Sequence, residues 1–393
     1  MSITEFIEAH AADDVRQLAL QRQRFPALNN EQWLFCLQQI DGRQRMQRKL
    51  PQLCQTPGFT FAPHLNLEQC SSEATATYKA QLIQSLDIDT VVDLTGGFGI
   101  DSLYMSKIAK QVHYVEQDGT LCRIMQHNTN CLNANVTVHH STAENILSDH
   151  SFWQSLTPEK TLIYADPARR NTEGKKVFLL SDCQPDIVSL MPLIQQRAKH
   201  WLLKLSPMLD PVLAIRELNT DAITHIVAVA DEVKEMLLQK VNNATCDTVI
   251  VSNLTTSFSF AFTRREEQQA QCLYADRVKT YLYEPSAAML KAGAHKRISE
   301  HWHLEKLDPN TQLYTSDTLI ADFPGKVFIT TEQNPQKGAK MNVLCRNYPL
   351  TAKQLQHKLH ITDGTDNYLI GFRLKGKPQL VVANRIFSKN LQH

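Results

Sequence analysis

Apolar positions follow a helical spacing in the first part of the chain and a strand–helix alternation after about residue 73. Residues 1 to about 66 carry Leu, Phe and Ile at three- and four-residue intervals, which predicts helices. Beyond them, short β-branched runs alternate with helical stretches, a pattern typical of βαβ units and a mostly parallel sheet. The predicted strands cover 90–93, 111–116, 136–139, 161–165, 200–205 and 225–229. The helices predicted between them cover 100–110, 119–132, 185–198 and 211–218.

The pattern changes again after the last of these strands. Residues 232–241 are predicted to be helical, and extended runs follow at 248–252 and 257–263. These two runs are too close together for a crossover helix, so at least one is expected to be antiparallel. The remainder from residue 271 combines short strands with a helix from Ala352 to Leu359 that Thr351 introduces. We therefore predict a helical region 1–70, a Rossmann-like α/β domain 71–270 and a smaller α+β module.

Composition and charge limit the cellular compartment and the classes of binding partner that we expect. The 393 residues include 41 Lys and Arg against 40 Asp and Glu, and a net charge of +1 gives no chain-wide attraction to phosphate or to membrane surfaces. Any nucleic-acid site must then be a local patch. The nine cysteines contain no CxxC pair, which argues against a disulfide framework or a zinc ribbon and fits the cytoplasm. No apolar run approaches the roughly 18 residues of a membrane span, so we expect a soluble protein without a membrane partner.

One segment, from Val91 to Asp101, carries the strongest chemical signal. It reads as a strand that runs into the glycine turn Gly96-Gly97-Phe98-Gly99 and then opens a helix. Glycines allow the positive φ and the close backbone approach that a ligand lying across the turn requires. The next strand ends in Glu116, 116 − 97 = 19 residues after Gly97, the spacing at which a carboxylate reaches ribose hydroxyls.

The same segment favours a sulfonium methyl donor over a dinucleotide. The third glycine or alanine of a dinucleotide motif is replaced by Ser102. Two acids, Asp93 and Asp101, flank the turn where phosphates would lie, whereas they suit the cationic S-adenosylmethionine. The predicted donor-binding set also includes Thr95 in the turn and Asp166 after the fourth strand. After the third strand, Thr142-Ala143-Glu144 offers an adenine contact, with Thr142 or Glu144 as the alternatives.

The fourth strand ends in a second constellation, Asp166-Pro167-Ala168-Arg169-Arg170, at the carboxyl edge where ligands of such sheets bind. Asp166 and the Pro167 carbonyl could accept the hydrogens of an amine and orient its lone pair toward the donor. Arg169 and Arg170 either hold a substrate phosphate or pair with nearby acids. Lys204, at the end of the next strand, faces the same edge and is a further candidate for substrate binding.

Two other chemistries are less well supported. Transfer to carbon 5 of a pyrimidine needs a cysteine nucleophile, and Cys183 is better interpreted as a small buried residue before a helix. His295, His301 and His303 lack a carboxylate or cysteine at ligand spacing, so no metal site is predicted.

Taken together, these motifs resemble the class I S-adenosylmethionine-dependent methyltransferases, and among them a bacterial group with a C-terminal THUMP-like module. The resemblance is carried by Ser71–Lys79, the loop 93–101, Asp166–Arg170, Lys204–Pro207, Glu284–Gly293, Arg346–Leu350 and Asp363–Leu369. It implies a Rossmann-like seven-stranded sheet with an antiparallel final strand, a ferredoxin-like segment at 271–325 and a THUMP-like domain at 326–393.

The resemblance also implies a substrate. Because THUMP domains belong to RNA-modifying enzymes, it indicates RNA as the partner, by analogy of fold. The amine-orienting groups Asp166 and the Pro167 carbonyl then favour a base nitrogen of RNA as the methyl acceptor. Two alternatives stay open at this point: a non-catalytic protein that binds the donor or RNA, and a methyltransferase of a protein or small molecule.

Overall fold

The computed structural model describes residues 2–169, 179–242, 246–364 and 366–386. These residues fall into two compact units. The first consists of residues 1–222 with 237–246, and the second of residues 223–236 with 247–393.

Six helices form the N-terminal part of the first unit, and five of them lie within the region 1–70 that the helical spacing predicts. They are α1 (Ile3–Ala9), α2 (Val15–Ala19), α3 (Asn30–Met46), α4 (Pro51–Gln55), α5 (His64–Gln69) and α6 (Glu73–Gln84). Capping boxes begin two of them, Ser2 with Glu5 in α1 and Asn29 with Gln32 in α3. Phe6 and Trp33 pack edge to face between α1 and α3, so apolar burial holds these short helices together.

A parallel sheet with the strand order β3-β2-β1-β4-β7 follows in the first unit. Its elements are β1 (Thr90–Asp93), α7 (Ile100–Met105), β2 (Gln111–Glu116), α8 (Gly119–Leu132), β3 (Val136–His140), α9 (Ala143–Ser148), α10 (His150–Gln154), β4 (Thr161–Ala165), the short β5 (Ala168–Arg169) and β6 (Cys183–Gln184), α11 (Ile187–Arg197), β7 (His200–Leu205) and α12 (Pro211–Glu217). The predicted strands 90–93, 111–116, 161–165 and 200–205 are confirmed at both ends. Parallel pairing places the carboxyl ends of these strands at one edge.

The helix predicted at 232–241 is wrong, because these residues form a strand, β9 (Glu232–Lys240), after β8 (Ile223–Val229). Only two residues separate β8 from β9, and the two strands are neighbours, so β9 runs antiparallel. Its run Met236-Leu237-Leu238 is fully buried, as in a central strand, which overrides the helical propensity of these residues.

The large sheet has nine strands rather than the seven that the resemblance implies. In the second unit, β10 (Thr248–Asn253) pairs parallel with β8, and β11 (Phe258–Thr263) pairs antiparallel with β10. The prediction that at least one of these two strands is antiparallel is confirmed.

A seven-stranded sheet makes up the rest of the second unit, with the order β13-β14-β12-β15-β18-β17-β16. Helix α13 (Arg264–Gln269) precedes this sheet. The sheet and its helices consist of β12 (Tyr281–Pro285), α14 (Ala287–Ala292), α15 (His295–His301), β13 (Glu305–Asp308), β14 (Thr311–Ser316), β15 (Gly325–Thr330), β16 (Asn342–Arg346), α16 (Ala352–Lys358), β17 (Asn367–Leu374) and β18 (Lys377–Ile386). Thr351 caps α16 as predicted. Strand β15 pairs with β18, so the sheet continues across residue 325, the predicted boundary between the ferredoxin-like segment and the THUMP-like domain.

Within the described ranges, no helix is long and apolar enough to cross a bilayer.

Candidate functional site

The glycine turn between β1 and α7 has a backbone that only glycine accommodates. Gly97 and Gly99 adopt φ of +54° and +82°, in the left-handed region. A Cβ on Gly96 would lie 2.2 Å from the Tyr114 ring, whose hydroxyl donates to the Gly97 carbonyl at 2.6 Å. Around Gly97 itself the nearest atom to such a Cβ is 3.8 Å away. The turn is therefore rigid on its inner side and open at Gly97.

Glu116, the last residue of β2, reaches the same turn. Its Oε2 accepts from the Gly97 amide at 2.8 Å, and its Oε1 accepts from the Asp118 amide at 2.8 Å. Each carboxylate oxygen has two acceptor sites, so the side chain keeps capacity for two hydroxyl donors. The spacing noted in the sequence thus corresponds to direct contact between this acid and the turn.

Asp93, at the end of β1, is buried with both oxygens engaged. Oδ1 accepts from the Thr95 amide at 3.0 Å, and Oδ2 accepts from the Ser102 hydroxyl at 2.6 Å. Burial raises the pKa of Asp93 to about 7, although the hydrogen bonds from Ser102 and Thr95 lower it. The neighbouring charges of Asp101 and Asp166 raise it further. This carboxyl is consequently a group that a bound cation would help to ionise.

Thr95 joins the glycine turn to the predicted acceptor side. Its hydroxyl oxygen accepts from the Asp166 backbone amide at 2.6 Å. The Asp166 carboxylate in turn accepts from Lys204 Nζ at 2.5 Å, and its side chain is 37% exposed. The two constellations predicted separately therefore lie side by side at the carboxyl edge of β1, β4 and β7. The Lys204 ion pair is not apparent from sequence, where Arg169 and Arg170 are equally good partners for this acid.

Asp101 lies in a buried network behind the turn. Its Oδ2 accepts from the hydroxyls of Tyr164 at 2.7 Å and Ser71 at 2.8 Å. Lys79 Nζ lies 3.2 Å from its Oδ1. Burial alone would raise the pKa of Asp101, but the charges of Lys79 and Lys204 and the two hydrogen bonds hold it below its usual value. Lys79 and Tyr164 cannot be identified from the sequence as partners of this acid, since pairing between distant elements leaves no regular spacing along the chain.

The predicted adenine contact lies beside the end of β2. The Ser141 amide donates to the Glu116 carbonyl at 3.0 Å, which brings the 141–144 turn next to this acid. Thr142 caps α9 by accepting from the Asn145 amide at 3.2 Å, and Ala143 is buried. Thr142 therefore has a structural role whether or not it touches a ligand, while Glu144 is exposed.

The remaining predicted residues follow β4. Pro167 is buried, and the backbone of Ala168–Arg169 pairs antiparallel with Cys183–Gln184. Cys183 is 1% exposed, consistent with the buried role preferred for it. The Arg169 side chain and all of Arg170 lie outside the described residues, so their predicted roles stay predictions.

The site contains four acidic side chains and two lysines, an environment suited to a cationic ligand. Asp93, Asp101, Glu116 and Asp166 supply the carboxylates. Among the residues that the structure describes, no group of three or more His, Cys, Asp or Glu could hold a metal ion.

The parallel sheet, with a glycine turn after its first strand and an acid ending the second, defines a Rossmann-like methyltransferase fold. The chain is similar over its whole length to the crystal structure of a presumed methyltransferase from Porphyromonas gingivalis W83. The two are 30% identical, with a TM-score of 0.84 and coverage of 98% of each chain. The protein therefore belongs to the same family as that methyltransferase.

Family models match the C-terminal part of the chain. Residues 281–324 match a ferredoxin-like domain, and residues 332–385 match a THUMP domain-like family. The resemblance inferred from the motifs is confirmed, including this C-terminal module. Comparison with curated protein sequences gives no match.

More distant structures share less of the fold. A presumed methyltransferase from Streptococcus mutans in complex with SAH is 13% identical and covers 42% of this chain and 94% of its own, with a TM-score of 0.31. An rRNA methylase from Streptococcus thermophilus is 12% identical and covers 42% and 93%, with a TM-score of 0.30. Scores this low carry no argument about this protein.

Proposed function

We propose that this protein is an S-adenosylmethionine-dependent methyltransferase that acts on a base nitrogen of RNA. The observation that carries the proposal is the hydrogen bond between Thr95 and the Asp166 amide, which joins a nucleoside-type pocket to an amine-orienting acid. Family membership supports the methyltransferase class. The residues of the donor and acceptor sides support the choice of methyl donor and acceptor.

The donor fits the pocket at the glycine turn. The open backbone at Gly97 allows close approach, and Glu116 has acceptor sites for the two ribose hydroxyls. Asp93 provides negative charge beneath the turn, which suits a sulfonium and an ammonium. Bound there, the donor would supply an electrophilic methyl group. Thr142 and Ala143 remain the candidates for the adenine end.

The acceptor side is built from Asp166, Pro167 and Lys204. The carboxylate of Asp166 has a second oxygen beside the one that Lys204 holds, and this oxygen can accept a hydrogen from an amine. The Pro167 carbonyl can accept another. Lys204 fixes the Asp166 rotamer, so the acceptor meets a preorganised pair of oxygens. These residues orient the nitrogen lone pair, and proximity supplies most of the rate.

The THUMP domain-like match is what supports RNA as the substrate. This step is an analogy of fold, and it adds to the site's chemistry rather than following from it. Arg169 and Arg170 remain candidates for a phosphate contact.

A labelling experiment tests both halves of the proposal. Purified protein is incubated with methyl-labelled S-adenosylmethionine and total bacterial RNA, with or without ribonuclease. We expect label in RNA that ribonuclease removes, and a loss of at least a hundredfold in Asp166→Ala. The isosteric Asp166→Asn keeps one acceptor oxygen and should retain more activity. Label that survives ribonuclease would refute the RNA substrate, and full transfer by Asp166→Ala would refute the role of this acid.

A further inference from the structure

Lys79 is fully buried, which is rare for a lysine and requires paired charge. Its Nζ lies 3.2 Å from Asp101 Oδ1 and 3.2 Å from the Ser71 hydroxyl. Ser71 and Tyr164 both donate to the other Asp101 oxygen. The three side chains thus form one network around a single carboxylate.

The network ties together four separate parts of the first unit. Ser71 precedes α6, Lys79 lies within it, Asp101 is in the first turn of α7, and Tyr164 is in β4. Because α7 begins directly after Gly99, Asp101 fixes the helix into which the glycine turn runs. Helices α6 and α7 also pack closely against each other.

The first turn of α7 is held from a second side. Ser102, the residue after Asp101, donates to Asp93 at 2.6 Å. One side of the turn is therefore anchored to β1 and the other to α6. Loss of Lys79 would leave the buried Asp101 carboxylate with its two hydroxyl donors but without the lysine that contacts it, which favours opening of the turn.

We propose that Lys79 is a positioning residue of the donor site, which holds the Asp101 carboxylate so that the glycine turn stays in its ligand-binding arrangement. The inference rests on the proposed donor site at Gly97 and Glu116. It assigns a task to the Ser71–Lys79 motif, which neither the donor pocket nor the acceptor pair accounts for. Lys79 acts through Asp101.

Hydrogen exchange in the ligand-free, full-length protein tests the positioning directly. The variants are Lys79→Met, which keeps the length but not the charge, and Lys79→Met with Asp101→Asn, which removes both charges. Lys107→Met is the matched control, because Lys107 is an exposed lysine lying 3.8 Å from the Tyr104 ring centroid in the same region. Exchange is compared between residues 94–105 and the neighbouring strand 111–116.

We expect Lys79→Met to accelerate exchange in residues 94–105 at least tenfold while residues 111–116 change little. The double variant should restore most of the protection, since it leaves no unpaired buried charge. Lys107→Met should resemble the wild type. Unchanged exchange in Lys79→Met, acceleration spread evenly over the chain, or no rescue in the double variant would each overturn the proposal.

Calorimetric titration with S-adenosylmethionine separates this inference from the proposed function. Lys79→Met should bind the donor at least tenfold more weakly, and the double variant should recover most of that affinity. If the wild type does not bind the donor, the proposed function fails, and the role of Lys79 in donor binding fails with it even where the exchange result is as expected. If the wild type binds and Lys79→Met binds equally well, only the positioning role is refuted.

Discussion

Donor binding should strengthen as the pH rises through 7, because Asp93 must ionise to meet a cation. Burial raises the pKa of Asp93 from 3.8 to about 7 in the free protein. A carboxyl with a raised pKa favours folding while it is protonated, and that contribution is lost as the pH rises through the raised value. A cationic ligand that pairs with the carboxylate offsets the free-energy cost of ionising it. Binding of such a ligand therefore releases the proton of Asp93.

The magnitude follows from the pKa values. A difference of 7 − 3.8 corresponds to about 4 kcal/mol of unfavourable ionisation in the free protein. If the bound donor lowers the pKa of Asp93 well below 6, its affinity should rise roughly tenfold between pH 6 and pH 8. The gain depends little on how far below 6 the bound pKa lies.

Isothermal titration calorimetry at several pH values, in buffers of different ionisation enthalpy, measures both the affinity and the released proton. Asp93→Asn is the matched variant, since it keeps the shape but cannot titrate. It should bind more weakly at pH 8 with a flat pH profile, and it should unfold at a higher temperature than the wild type at that pH. S-adenosylhomocysteine, which lacks the sulfonium charge, should show a smaller pH effect. A pH-independent affinity of the wild type, or the same profile in Asp93→Asn, would refute the reasoning.

Three further predictions concern the glycine turn, the acceptor pair and a half-buried histidine. Gly96→Ala should abolish donor binding and cost at least about 2 kcal/mol of stability, because its Cβ would lie 2.2 Å from the Tyr114 ring; unchanged calorimetric affinity would contradict this. Lys204→Met should lower methyl transfer at saturating donor by about tenfold while donor affinity changes little, since it frees the Asp166 rotamer; an equal loss of donor affinity would instead place this lysine at the donor. Burial lowers the pKa of His113 from 6.5 to about 4, so its contribution to stability is present above pH 6.5 and lost as the pH falls toward 4. Denaturant titration should show the free energy of unfolding falling between pH 7 and pH 5, and His113→Gln should reduce this pH dependence.

The sequence alone is sufficient for most of the parallel strands and for the residues that meet at the proposed donor pocket. Buried parallel strands such as 161–165 are short apolar runs between turn residues, and their ends can be located from that pattern. The glycine turn and Glu116 were predicted because both belong to one βαβ unit, in which chain spacing fixes which residues meet. Local chemistry of this kind is encoded in contiguous sequence.

Tertiary structure decided what depends on contacts between distant segments. Residues 232–241 have the composition of a helix, and only their place beside β8 makes them a strand. Asp101 looked like a ligand-facing acid, but folding places it against Lys79 and Tyr164, more than 20 and 60 residues away. The sequence likewise does not identify the partner of Asp166. This partner is Lys204, because β4 and β7 pair side by side. Charge pairing across elements depends on three-dimensional distance and burial, and no periodicity along the chain records either quantity.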